Sequence, residues 1–166
     1  MKIRDIVMIA MLSAILFAAQ VALRLIPNVE LVTVLIILYT ILFGRKTLYI
    51  IYIFVFLEGL IYGIGPWWYG YLYVWAILYF IARLNRNKYS PLLWAIISGG
   101  YGLIFGGLFA IINLFTMGIP GAVAFWIAGI PFDVIHCVSN FIITLCLFLP
   151  LHNVIKQLQI RYNSNY

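Results

Sequence analysis

Residues 123–149 read VAFWIAGIPFDVIHCVSNFIITLCLFL, and this run decides the fold. At about 1.5 Å per helical residue it is long enough to cross a hydrocarbon core about 30 Å thick. Yet it carries Asp133, His136 and Asn140 where a lipid-facing helix would carry leucines. Entering from the outer side near Val123, the chain reaches Asp133 at roughly mid-membrane. Trp126, Gly129, Asp133, His136 and Asn140 fall at offsets that share one helical face. An ionisable group at that depth costs several kcal/mol unless it faces protein or water. The polar stripe is therefore expected to look inward, toward other helices.

The rest of the chain is built for the same solvent. Of 166 residues, 66% are hydrophobic and 8% charged, with a mean hydropathy of +1.13. A soluble domain carries about 25% charged residues. The length suits a single domain over 1–166 and leaves no room for a separate nucleotide-binding domain. No G-x-x-x-x-G-K-[ST] loop is present. The net charge of +6 resides in short connectors rather than in a basic face, which argues against nucleic acid. Cys137 and Cys146, nine residues apart, point to opposite faces of one helix and read as buried small hydrophobes, not as a disulfide.

Run length and punctuation predict six transmembrane helices in an all-α, polytopic membrane domain. They cover about 6–23, 31–43, 47–64, 68–82, 92–117 and 123–149, the second being short. A cytoplasmic N-terminus places Lys2, Arg4, Arg45, Lys46, Arg83, Arg86, Lys88, Lys156 and Arg161 inside and only Arg24 outside. That satisfies the positive-inside rule and returns the C-terminus to the cytoplasm. The first apolar run exceeds the usual length of a cleaved signal, about 7–15 residues, and is expected to be retained.

Ala10, Ala14, Ala18 and Ala22 recur every four residues along the first helix, making a straight stripe of small side chains. In lipid, close backbone approach at such stripes drives helix association. The stripe packs either within the bundle or against another membrane subunit. Gly99, Gly102 and Gly106 make a comparable face on the fifth helix, read as internal packing.

Further polar groups gather in the outer half: Glu58 about two turns below the end of the third helix, and Asn113 about one turn down the fifth. The segment Trp67–Trp75, which includes Trp68, Tyr71, Tyr73 and Trp75, crowds the same rim. Acid, imidazole, amide and aromatic groups together suit a planar polar solute, rings stacking it and polar groups orienting it. The competing readings are an ordinary aromatic belt, an Asp133–His136 pair and a structural Glu58.

Size, topology, alanine stripe, polar-aromatic outer half and missing ATPase motif together resemble an S-component. These are the substrate-binding membrane subunits of energy-coupling factor (ECF) transporters, a class of ABC importer in the prokaryotic plasma membrane. The resemblance implies that Ala10, Ala14 and Ala18 dock onto a transmembrane scaffold subunit that carries two cytoplasmic ATPases. It also implies a water-soluble vitamin as solute, held by the loop between helices 1 and 2, here Arg24–Glu30 with Asn28 in it, and by the outer parts of helices 4–6. The implied set is Trp68, Tyr71, Tyr73, Trp75, Asn113, Trp126, Asp133 and His136, to which the polar residues read above add Glu58 and Asn140. Two acids, with Arg24 alone among basic residues in the outer half, suit a neutral or weakly basic ring such as a pyrimidine- or thiazole-like precursor.

An enzyme is the rival class. His136 and His152, 16 residues apart, cannot ligate one metal, so neither a metal nor a cofactor is expected. Ser139 points away from Asp133 and lies in no G-x-S-x-G turn. Two non-catalytic alternatives remain. One is a stand-alone secondary transporter using Asp133 and His136 as a proton relay, which a missing inverted repeat weakens. The other is a structural membrane subunit that binds nothing.

Overall fold

In a computed structural model, which describes residues 3–164 and the side chains through residue 160, the chain is all-helical. The elements are α1 (Ile3–Leu23), α2 (Val32–Phe43), α3 (Lys46–Tyr62), α4 (Pro66–Asn85) and α5 (Pro91–Ser164). Lys2 and the Arg161 side chain, both part of the charge pattern above, lie outside the described residues. Among those residues, α1 and the 91–160 stretch of α5 are long and apolar enough to cross a membrane.

Five elements stand where six were expected, because α5 merges the fifth and sixth runs. Its backbone leaves helical geometry at Gly118 (φ 68°, ψ −179°), a conformation that a side chain would strain. There the element doubles back. Trp94 stacks on Phe148, Ser98 accepts a 2.8 Å hydrogen bond from Thr144, and Gly106 meets Asp133. The pairing runs antiparallel. The glycine face makes it close: a Cβ on Gly102 would lie 2.8 Å from the His136 carbonyl, and one on Gly99 would lie 3.1 Å from that of Cys137. Small residues thus let two backbones meet, as the sequence leads one to expect. The helix also continues through Pro150 to Ser164, where a polar tail was expected. The cysteines are less covered than expected, Cys137 half-buried and Cys146 exposed.

The core forms around α2. Val32 through Thr40 are all buried, and α2 touches each of the other four helices. Twelve residues with no polar face suit a position enclosed on every side. Its C-terminus is closed by Gly44, whose N–H donates to the Thr40 carbonyl. The Arg83 guanidinium lies over that glycine, a cation at a helix C-terminus.

α1 packs on α3 through Ile9, Ser13 and Leu16, and the Ser13 hydroxyl donates to the Ile50 carbonyl at 3.1 Å. Ala10, Ala14, Ala18 and Ala22 are exposed on the opposite side. The alanine stripe does not pack within the described bundle.

Several contacts gather basic residues at one end. Lys46 pairs with Asp5 at 2.6 Å, Arg83 covers Gly44, and Trp94 donates to the Lys88 carbonyl. Arg24 and Gly118 lie toward the opposite end.

Candidate functional site

At the end away from the basic cluster, the loop between α1 and α2 folds over the two arms of α5. Asn28 holds a left-handed backbone (φ 59°), which asparagine tolerates better than most residues. Its carbonyl accepts a 2.5 Å hydrogen bond from Ser139. Two residues on, Glu30 turns inward. One carboxylate oxygen accepts from the Thr33 N–H at 2.8 Å, and the other lies 3.3 Å from His136 Nε2. Burial pushes the Glu30 carboxyl up. Its bonds to His136 and Thr33, with the imidazole charge, more than offset this and hold it below the ordinary carboxylate range.

Two cavities open beside this pair. The first, about 240 Å³, is lined by Gln20, Arg24, Glu30, Trp75 and His136 among others. The second, about 620 Å³, is lined mainly by the rings of Trp67, Phe109, Phe125 and Phe132, with Asp133 in its wall. Asn28, Tyr71 and Phe105 line both. The cavities are therefore two lobes meeting at a common waist, one rich in polar groups and the other aromatic. Tyr71 is placed by a 3.3 Å hydrogen bond from Gln20 and by edge contacts with Trp67, Trp75 and Phe109. Phe105 sets its ring edge-on to His136, 4.8 Å between centroids.

Asp133 and His136 do not pair with each other. His136 is held by Glu30, whereas one Asp133 oxygen accepts the Gly106 N–H at 2.9 Å. Asp133 Oδ2 and His136 Nδ1 are buried without a hydrogen-bond partner among the described residues. Asn140, one turn deeper, donates to the Thr33 hydroxyl at 3.3 Å and braces the start of α2 rather than lining a lobe.

The other sequence candidates divide. Asn28, Tyr71, Trp75, Asp133 and His136 line the lobes. Trp68 does not: its indole donates to the Val55 carbonyl at 2.8 Å and lies against Gly59, fastening α4 to α3. Tyr73 likewise fastens α4 to α5 through the Leu108 carbonyl at 2.6 Å. Glu58 and Asn113 are buried outside the lining. Trp126 is 48% exposed and rests on Gly107, outside the lining of both lobes. Glu30 closes the Arg24–Glu30 loop that the resemblance implicates, whereas Gln20 and Phe105 were not singled out, since a lone amide and a phenylalanine carry no spacing signal.

Among the described residues no group of three or more His, Cys, Asp or Glu side chains is placed to hold a metal. No protein-family model, curated protein or solved structure matches the chain.

Proposed function

We propose that this chain is a multi-pass membrane subunit that captures a small water-soluble solute from outside the cell. The two-lobed cavity carries this reading. Polar groups and aromatic rings line it at the end of the bundle opposite the basic cluster, with Arg24 alone among the basic residues on that side, and under the positive-inside rule that division supports an outward-facing cavity. In this reading α1 to α4 each cross or enter the bilayer, α5 crosses twice, and both termini are cytoplasmic. The short α2 is shielded from lipid by its neighbours.

The exposed alanine stripe on α1 supports the rest. It is a small-residue face without a partner in the described bundle, suited to a second membrane protein. Such an arrangement fits an S-component of an ECF importer in a prokaryotic plasma membrane. A scaffold subunit would seat on α1, and two ATPases would supply the energy that this chain has no motif to supply. The solute is read as a vitamin or vitamin precursor with an aromatic ring.

The test is a thermal-shift screen of the detergent-purified protein against water-soluble vitamins and their precursors. A solute at 100 times its Kd stabilises the folded state by about 2.7 kcal/mol. One clear shift supports the binding subunit and names the solute. A well-folded sample that responds to nothing overturns the reading in favour of a structural subunit.

A further inference from the structure

We infer that the solute is an organic cation whose positive nitrogen sits in the aromatic lobe, facing Asp133. This rests on the solute-binding reading above and narrows its chemistry.

The wall of that lobe presents six rings, from Trp67, Tyr71, Phe105, Phe109, Phe125 and Phe132. Ring faces carry the negative end of the aromatic quadrupole and attract a cation within about 6 Å of the centroid. Among the described residues, Asp133 is the one carboxylate in the wall, and no lysine, arginine or histidine lines the lobe. The basic side chains nearest the solute path belong to the other lobe. There Arg24 stands at the rim and His136 is committed to Glu30.

Asp133 is also fixed in place. The Gly106 N–H holds Oδ1 at 2.9 Å, and a Cβ on Gly106 would lie 2.5 Å from Oδ2, so only glycine admits the carboxylate here. Asp133 is only 5% exposed, and its Oδ2 has no hydrogen-bond partner among the described residues. A cation in the lobe favours the ionised carboxylate, whose field the apolar surroundings screen weakly. A neutral ring would fill the same space and leave that field unanswered, and an anion would be repelled. A permanently charged ammonium or N-alkylated heteroaromatic ring answers both the acid and the ring faces. The polar lobe then takes the hydrogen-bonding remainder of the solute through Gln20, Glu30 and Asn28.

The experiment titrates the full-length, detergent-purified protein by calorimetry with choline, its uncharged isostere 3,3-dimethylbutan-1-ol, and benzyltrimethylammonium. Shape is constant within the first pair, so the difference reads charge alone. Both cations should bind, and the alcohol should bind at least about tenfold more weakly. Asp133→Asn keeps the acceptor for Gly106 and should weaken both cations about tenfold while leaving the alcohol unchanged. Phe132→Ala, at a half-exposed position, should weaken the cations with no loss of folding and serves if the Asp133 variant misfolds.

Equal affinity for choline and the alcohol would overturn the inference, as would unchanged cation binding in both variants. If the vitamin screen yields only neutral or anionic ligands and neither cation binds, the cation assignment falls and the binding-subunit reading stands. If the cations bind through Asp133 but cells expressing the protein with an ATPase module accumulate none of the solutes on the panel, the cation site stands and the importer reading falls.

Discussion

Glu30 and His136 lie 106 residues apart in sequence and 3.3 Å apart in space. The contact ties the α1–α2 loop to the second arm of α5 and closes one wall of the polar lobe. Because His136 Nε2 serves Glu30, the imidazole is not the partner of Asp133, and the two ionisable groups of the stripe face different lobes.

The pairing makes stability depend on pH in a defined direction. The folded-state value of Glu30 lies below its ordinary 4.5, so its contribution is present above that value and is lost as pH falls through the lower folded one. Glu30→Gln should lower Tm near neutral pH. The gap to the wild type should close as the pH drops below 4.5. Melting curves of both proteins across that range check it, and a gap that widens on acidification contradicts the assignment.

Gly102→Ala should loosen the α5 hairpin. The added methyl would sit 2.8 Å from the backbone of His136, which cannot move as a side-chain tip can. Overpacking of this kind costs about 1–3 kcal/mol. A drop in Tm, together with weaker solute binding as His136 shifts, is the expected result. Gly100→Ala, with open space around its Cβ position, is the control.

Ala14→Trp should leave both folding and solute affinity intact, since Ala14 is exposed and faces away from Ser13 and Leu16. Uptake in cells should be abolished, because a bulky ring on the stripe prevents close approach of a second membrane protein. Transport at the wild-type rate would mean that the stripe faces only lipid.

Trp126→Ala and Tyr71→Ala separate the rim from the waist. Tyr71 lines both lobes, and losing its ring should cost at least about tenfold in affinity for whichever solute the screen finds. Trp126 lies outside both, and its removal should change affinity by less than about twofold. Isothermal titration of the two variants reads the contrast directly.

The apolar runs made the helices legible, to within a few residues at most ends, because burial in lipid or in a bundle requires long uninterrupted apolar stretches. The join between the last two runs was hidden, since Gly118, Pro120 and Gly121 read as a loop whereas the backbone departs from helix at Gly118 alone. The glycine face was readable because small residues at helical spacing have few other uses. Side-chain partners were not. The roles of Trp68 and Tyr73 depend on which carbonyls, Val55 and Leu108, lie opposite them. Glu30 joins the site only because the loop turns back over α5. Asp133 and His136 were found by their cost in an apolar helix, but what each faces is set by neighbouring elements and not by its own spacing.

If α5 crosses a membrane twice, as proposed, its hairpin bears on how the protein is inserted. A lone second arm would present Asp133 to lipid with no partner for either oxygen, at a cost of several kcal/mol. Released together, the two arms deliver the Gly106 N–H and the acid as one unit, with the glycine face already closed. Gly118 therefore matters during synthesis before any solute is present. Substitutions there should surface as lost yield and rapid proteolysis of the nascent chain, not as altered affinity in the molecules that survive.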